Sequence, residues 1–256
     1  MHSIYWSTKN RAIYIQFKYP REFTHRYHPK IKKDNHWTLL DSNRIRSSKK
    51  DHIIKLDISP KKTRVAAQEV HSSKNVKSWY SQLTANNQQL VKLTKIGHSK
   101  LGRELVVLDI HKGTKKNKPI IVLRTRQHPP EVTGYFAFQE FAQTIITDEL
   151  TNDFLSNYRV LDFPILNLDG VDLGHWRHNA GGIDLNRGWS KYNQPEIKHV
   201  VRYITKQLKK QHTKILLGLD FHSTWYDIYY TNEKRKGTTL PNFISDWFHR
   251  LEKKHT

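Results

Sequence analysis

From about residue 90 onward, strand-sized apolar runs alternate with longer amphipathic stretches, and this alternation restricts the possible folds more than any other feature. Residues 90–96, 104–110, 119–125, 158–166 and 214–221 read as strands. Unbroken apolar runs such as residues 120–123 suit strands covered on both faces. Gly97 and Gly102 mark the turn between the first two strands. Residues 131–147 carry Phe136, Phe138, Phe141 and Ile145 on a helical pattern. Residues 195–210 form a second helix, with Pro195 suited to its first turn. Residues 242–254 place Phe243, Ile244, Trp247, Phe248 and Leu251 on one face of a last helix. Strands alternating with helices predict an α/β fold with a mixed central sheet and helices on both faces. Ligands of such sheets gather at the carboxyl ends of the strands.

The first 72 residues follow a different pattern. Residues 12–17 and 53–58 alternate apolar and polar side chains, with Lys-, Asn-, Pro- and Ser-rich loops between them. This predicts a small N-terminal β domain over residues 1–72, ahead of an α/β domain over residues 73–256. A helix over residues 72–84 opens the second part, with Ser72 or Ser73 as cap and Val76, Trp79, Tyr80 and Leu83 on its apolar face.

Composition narrows the function classes. At 256 residues, 36% of them hydrophobic, the chain can bury a substantial core. No apolar run reaches the length of a membrane span, and residues 1–11 lack the apolar block of a secretory signal. The sequence has no cysteine, which excludes disulfides, thiolate metal ligands and a cysteine nucleophile. A cytoplasmic location is therefore expected. The 44 basic residues against 23 acidic ones give a net charge of +21, compatible with nucleic acid, an anionic surface or acidic substrates. The lysine pairs are scattered and no nucleic-acid-binding signature accompanies them, so nucleic acid is the disfavoured partner.

Three polar clusters fall at predicted strand ends. His128-Pro129-Pro130-Glu131 follows the strand at 119–125, and on a helical first turn an imidazole and a carboxylate three residues apart reach one ion. His222 ends the strand at 214–221. Two histidines and one glutamate make a catalytic zinc set with an open fourth position. The segment from 164 to 189 holds Asn167-Leu168-Asp169-Gly170, Trp176-Arg177-His178-Asn179 and Asp184-Leu185-Asn186-Arg187-Gly188-Trp189. Its two arginines suit the gripping of a carboxylate.

The order of these clusters resembles the zinc metallocarboxypeptidases of the carboxypeptidase A superfamily, over about residues 90–231. The wording Arg126-Gln127-His128-Pro129-Pro130-Glu131 is most similar to the branch with cytosolic, deglutamylase-like enzymes. The N-terminal β segment is similar to the small domain of that branch. The resemblance implies one Zn2+ on His128, Glu131 and His222, with Asp184 orienting His128. It implies that Arg177 polarises the scissile carbonyl, that Asn186 and Arg187 hold the terminal carboxylate, and that a zinc-activated water is the nucleophile. Trp176 and Trp189 are expected to pack.

Two small departures are Leu168 where proline is usual and Gly188 where asparagine is frequent. A larger one concerns the family's catalytic glutamate, which lies well downstream of the last zinc histidine. The sequence runs only 34 residues past His222, with Asp227, Glu233, Asp246 and Glu252 as its remaining carboxylates. None is expected to replace that base, so the α/β domain is expected to be cut short at its C-terminus. The expected activity is hydrolysis of a C-terminal peptide bond, with very weak or no turnover in the absence of that base, glutamate-rich tails as the favoured partner and no membrane. The alternatives are an inactive fragment that binds zinc and acidic C-termini, and a basic nucleic-acid-binding protein.

Overall fold

The computed structural model describes residues 2–19, 25, 27–34, 36–48, 51–224, 246, 247, 249 and 250. Met1–Ser223 form one compact unit and Thr224–Thr256 another. In the second unit, the helix expected over 242–254 shows helical backbone at 246, 247, 249 and 250. Its other residues, and Asp227, Glu233 and Glu252, lie outside the described residues.

The first unit begins with seven strands: β1 (His2–Tyr5), β2 (Arg11–Lys18), β3 (Lys30–Lys33), β4 (His36–Leu39), β5 (Ile45–Ser47), β6 (Asp51–Ile58) and β7 (Thr63–Ala66). They pair antiparallel in two small sheets, ordered β1-β7-β3-β4 and β2-β6-β5. The period-two pattern of β6 turns Ile54, Leu56 and Ile58 inward, where they meet Leu40 and Val65.

The α/β part follows as α1 (Ser73–Asn86), β8 (Val91–His98), β9 (Glu104–Ile110), β10 (Ile120–Thr125), α2 (Val132–Thr147), α3 (Thr151–Asn157), β11 (Arg159–Phe163), α4 (Leu168–Leu173), α5 (Pro195–Gln211) and β12 (Ile215–Phe221). The five strands form one mixed sheet ordered β12-β10-β11-β9-β8. β10 runs parallel to both β11 and β12, whereas β9 runs antiparallel to β11 and β8. One face buries Leu108, Ile110, Ile121, Leu123 and Val160 with Val76 and Tyr80 of α1 and Tyr135 and Phe138 of α2. The other buries Val107, Ile120, Val122, Leu161 and Phe163 with Ile197 and Val200 of α5. Helices on both faces explain why β10 is apolar at nearly every position.

Some expected boundaries moved, each for a local reason. Gly97 lies inside β8 rather than in the turn, because a bulge there lets His199 of α5 occupy the space a Cβ would need. β11 stops at Phe163, since Pro164 has no N–H for the ladder. α3 and α4 are seven and six residues long, too short for a periodic signal. Ser72 caps α1 in a capping box with Asn75.

Phe138 is fully buried and meets Phe221 edge-on at 5.5 Å, so it clamps α2 onto the end of β12. Phe138→Ala is expected to cost about 3–5 kcal/mol of stability, read by denaturant unfolding, with Phe138→Leu losing much less.

Candidate metal centre

The parallel pairing of β10 with β12 matches Thr125 to Phe221, so both strands end level and their next residues leave on the same side of the sheet. Past β10 the backbone turns sharply. Arg126 adopts φ 55°, a left-handed conformation that costs a residue with a Cβ about 1–2 kcal/mol. Its fully buried guanidinium donates from Nη2 to the carbonyls of His71 (3.0 Å) and Pro129 (2.8 Å). Burial lowers its pKa to about 10, so it stays charged at neutral pH.

His128 and Glu131 do not sit on a helical first turn, as the spacing suggested. Both precede α2, in a turn stiffened by Pro129 and Pro130, with Glu131 at the helix N-cap. His222 follows β12. Gly134 lets α2 approach this point: a Cβ there would lie 2.4 Å from the His222 carbonyl oxygen. The next side chain, Ser223, accepts from the Gly134 N–H at 2.9 Å and contacts Thr133 Oγ1 at 2.6 Å, fixing the chain after His222.

The three side chains converge. His128 Nδ1 lies 2.8 Å from Glu131 Oε1, and His222 Nδ1 lies 2.7 Å from Glu131 Oε2. One ligand atom from each lies within 4.8 Å of the others. Tetrahedral zinc with bonds of about 2.1 Å separates its ligands by roughly 3.4 Å, so small side-chain movements suffice.

The far side of each imidazole is also held. His128 Nε2 lies 3.1 Å from Asp184 Oδ1, and His222 Nε2 lies 3.1 Å from Asp220 Oδ2. A carboxylate on Nε2 keeps that nitrogen protonated and turns the Nδ1 lone pair inward, the arrangement a metal-binding histidine needs. The donor set therefore fits zinc.

Asp184 connects several residues. Its Oδ1 accepts from the Asn186 N–H at 2.9 Å, and its Oδ2 accepts from Arg177 Nε at 2.7 Å. A bridge between His178 and Asp184 closes the intervening loop and brings Arg177 alongside. Asn186 and Arg187 form the short 3-10 turn directly after Asp184, half-buried and exposed respectively. The structure thus gathers His128, Glu131, His222, Asp184 and Arg177, with Asn186 and Arg187 one turn further along.

Other polar groups of the segment shape loops. Asn167 caps α4 and donates Nδ2 to the Gln127 carbonyl at 3.0 Å. Fully buried Asp169 accepts from Ser99 Oγ and the Leu101 N–H, both at 2.9 Å. Trp189 packs as expected and donates to Gln127 Oε1 at 2.7 Å. Trp176 departs from its expected packing role: it is half exposed and meets Tyr27 edge-on.

Asp220 and Gln127 were not among the expected site residues. Gln127 Nε2 donates to Asp220 Oδ2 at 2.6 Å, and Arg124 reaches the same oxygen at 3.2 Å while stacking on Trp189. The signal for Asp220 was present, because residues two apart on a strand share a face and Asp220 precedes His222 by two.

The opposed charges of the centre stabilise one another. Burial lowers the His222 pKa, but its bonds to Asp220 and Glu131 outweigh this and raise it to about 9. Burial raises Glu131 and Asp184, and their imidazole and guanidinium partners overcome that and hold both carboxyls below their ordinary range.

Three outcomes follow for the purified protein. His128→Ala is expected to abolish stoichiometric zinc binding, and Asp220→Asn to weaken it about 10–100-fold, read by competition with a chromogenic chelator. In the metal-free protein, His222 contributes stability that is complete below about pH 6.5 and lost as pH rises to about 9. The unfolding midpoint should fall across that window, and His222→Gln should flatten the slope. Zinc affinity should rise over the same window, since the metal displaces the His222 proton.

The centre belongs to a known family. The zinc carboxypeptidase family model matches residues 76–243. Human cytosolic carboxypeptidase 2 is 30% identical over 150 residues, 54% of this chain and 16% of that protein. Mouse carboxypeptidase A6 is 24% identical over 212 residues, 68% of this chain and 47% of that protein. The chain thus spans less than half the length of these relatives. Among solved structures, a metallo-carboxypeptidase from Burkholderia cenocepacia superposes with a TM-score of 0.71 at 18% identity, over 88% of this chain and 61% of that one. A metallo-carboxypeptidase from Pseudomonas aeruginosa gives 0.66 at 20% identity, over 87% and 60%. The fold, the converging His-Glu-His donors and the match over residues 76–243 agree: the chain belongs to the zinc carboxypeptidase family.

Proposed function

We propose that this chain carries the zinc centre of a metallocarboxypeptidase that hydrolyses the C-terminal peptide bond of acidic, glutamate-rich protein tails in the cytoplasm. The observation that carries the reading is the converging set of buried His128 and partly buried Glu131 and His222, with both imidazoles braced from behind by aspartates. Zinc held there acts as a Lewis acid and lowers the pKa of a bound water toward neutrality. Arg177, half exposed beside Asp184, supplies the positive charge that stabilises the developing oxyanion. Its bond to Asp184 fixes the guanidinium in place before substrate arrives. Asn186 and Arg187, on the turn that Asp184 caps, hold the terminal carboxylate through paired hydrogen bonds. The net charge of +21 favours acidic tails by long-range attraction. Among the described residues, no helix is long and apolar enough to cross a membrane.

The test is a carboxypeptidase assay of the zinc-loaded chain on two peptides, one ending in glutamates and one in neutral residues. Very slow release of C-terminal glutamate, still at least about tenfold faster than that of neutral residues at low salt and abolished by Arg177→Ala, is the expected result. Equal rates on both peptides would remove the acidic preference. Tight binding of glutamate peptides with no hydrolysis would assign the chain a binding role instead.

A further inference from the structure

At the end of the sheet opposite the metal centre, the start of β11 and the facing parts of β8 and β9 form a basin with α5. Its cavity of about 340 Å³ is lined by cations: Lys92, Arg159, Lys206 and Lys210. One carboxylate, Asp109, lies among them. It is already engaged, accepting both Nε and Nη2 of Arg159 and the Tyr203 hydroxyl. Arg159 Nη2 also donates to Gln207 Oε1 at 3.0 Å, so the guanidinium is held as a rigid floor. Burial keeps the neighbouring His111 imidazole below its ordinary pKa, leaving it neutral at physiological pH.

The α5 side is as one-sided. Lys198, Arg202, Lys206 and Lys210 follow at four-residue spacing along its exposed face, with Lys209 beside them. Past Glu196, which is buried, α5 carries no carboxylate. Cations near a helix C-terminus are favourable, which accounts for Lys209 and Lys210. It does not account for Lys92 of β8, and because Arg159 and Asp109 offset each other, the basin keeps the charges of Lys92, Lys206 and Lys210 in excess. Like charges gathered in a concave site repel unless an anion sits among them, and a cleft of one sign focuses its field outward.

We propose that this basin binds a compact polyphosphate anion, a linear group of two or more phosphates, at a site separate from the metal centre. The lysine rim supplies charge-assisted donors, and the Gln207 amide adds a neutral one. Concavity favours a small anion over a polymer. Of the lining residues only Tyr203 and His111 carry aromatic rings, both partly buried, and the Tyr203 hydroxyl is tied to Asp109, so the basin offers no row of exposed stacking rings such as single-stranded nucleic acid uses.

The test is calorimetric titration of the full chain with sodium tripolyphosphate at physiological ionic strength. The paired variant Lys206→Glu with Lys210→Glu is compared with Lys115→Glu with Lys116→Glu, an equal change of charge in an exposed loop. The expected result is saturable binding by the wild type and the loop variant, weakened roughly tenfold or more in the α5 variant, whose circular dichroism is unchanged. Equal weakening in both variants would overturn the site. Sulfate binding as tightly as tripolyphosphate would overturn the polyphosphate assignment. An oligonucleotide binding more tightly through the same two lysines would replace it with a nucleic-acid surface.

Discussion

The parallel ladder between β10 and β12 is the constraint on which the rest of the centre depends. Glu131 and His222 are 91 positions apart, yet their polar atoms lie 2.7 Å from each other. Only a buried ladder holds such distant segments level, because every slip of one residue would turn the side chains to the other face. β10 is also pinned by β11 on its other side. The α2 clamp adds to this: Phe138 rests on Phe221, and Gly134 allows the helix backbone to meet the His222 carbonyl. The candidate metal ligands thus follow two paired strands whose ends are held level.

Around that frame, carboxylates do the orienting. Asp184 and Asp220 play parallel parts on the two imidazoles, each binding Nε2 and leaving Nδ1 free to face Glu131. Each aspartate is itself held by cations, Asp184 by Arg177 and Asp220 by Arg124. This layering balances charge in a poorly hydrated place, where an isolated carboxylate would be costly. It also links the metal centre to the arginine proposed to act on substrate, since Arg177 and His128 share one carboxylate.

The strong basic charge distributes over the molecule unevenly in effect. Near the centre, arginines are matched by aspartates. Along the exposed face of α5 the cations meet no carboxylate of their own helix, and the excess is presented outward. Two anion-attracting regions on opposite ends of one sheet therefore carry different chemistry. One is proposed to hold a carboxylate beside a metal ion, and the other an anion without one.

The sequence by itself determined the α/β class, because helical and strand periodicities are local and survive in the residue order. It also carried the ligands His128, Glu131 and His222 in recognisable wording, along with the turn chemistry of Pro129, Pro130 and Pro195. Boundaries such as Gly97 and short elements such as α4 escaped it, since a bulge filled by His199 and a six-residue turn of helix leave no periodic trace. Tertiary structure alone decided the strand order, the placing of Glu131 before rather than within α2, and the support of His222 by Asp220. Those features arise from pairing and packing between segments far apart in the chain, and the free energy that selects them exists only once the sheet has closed.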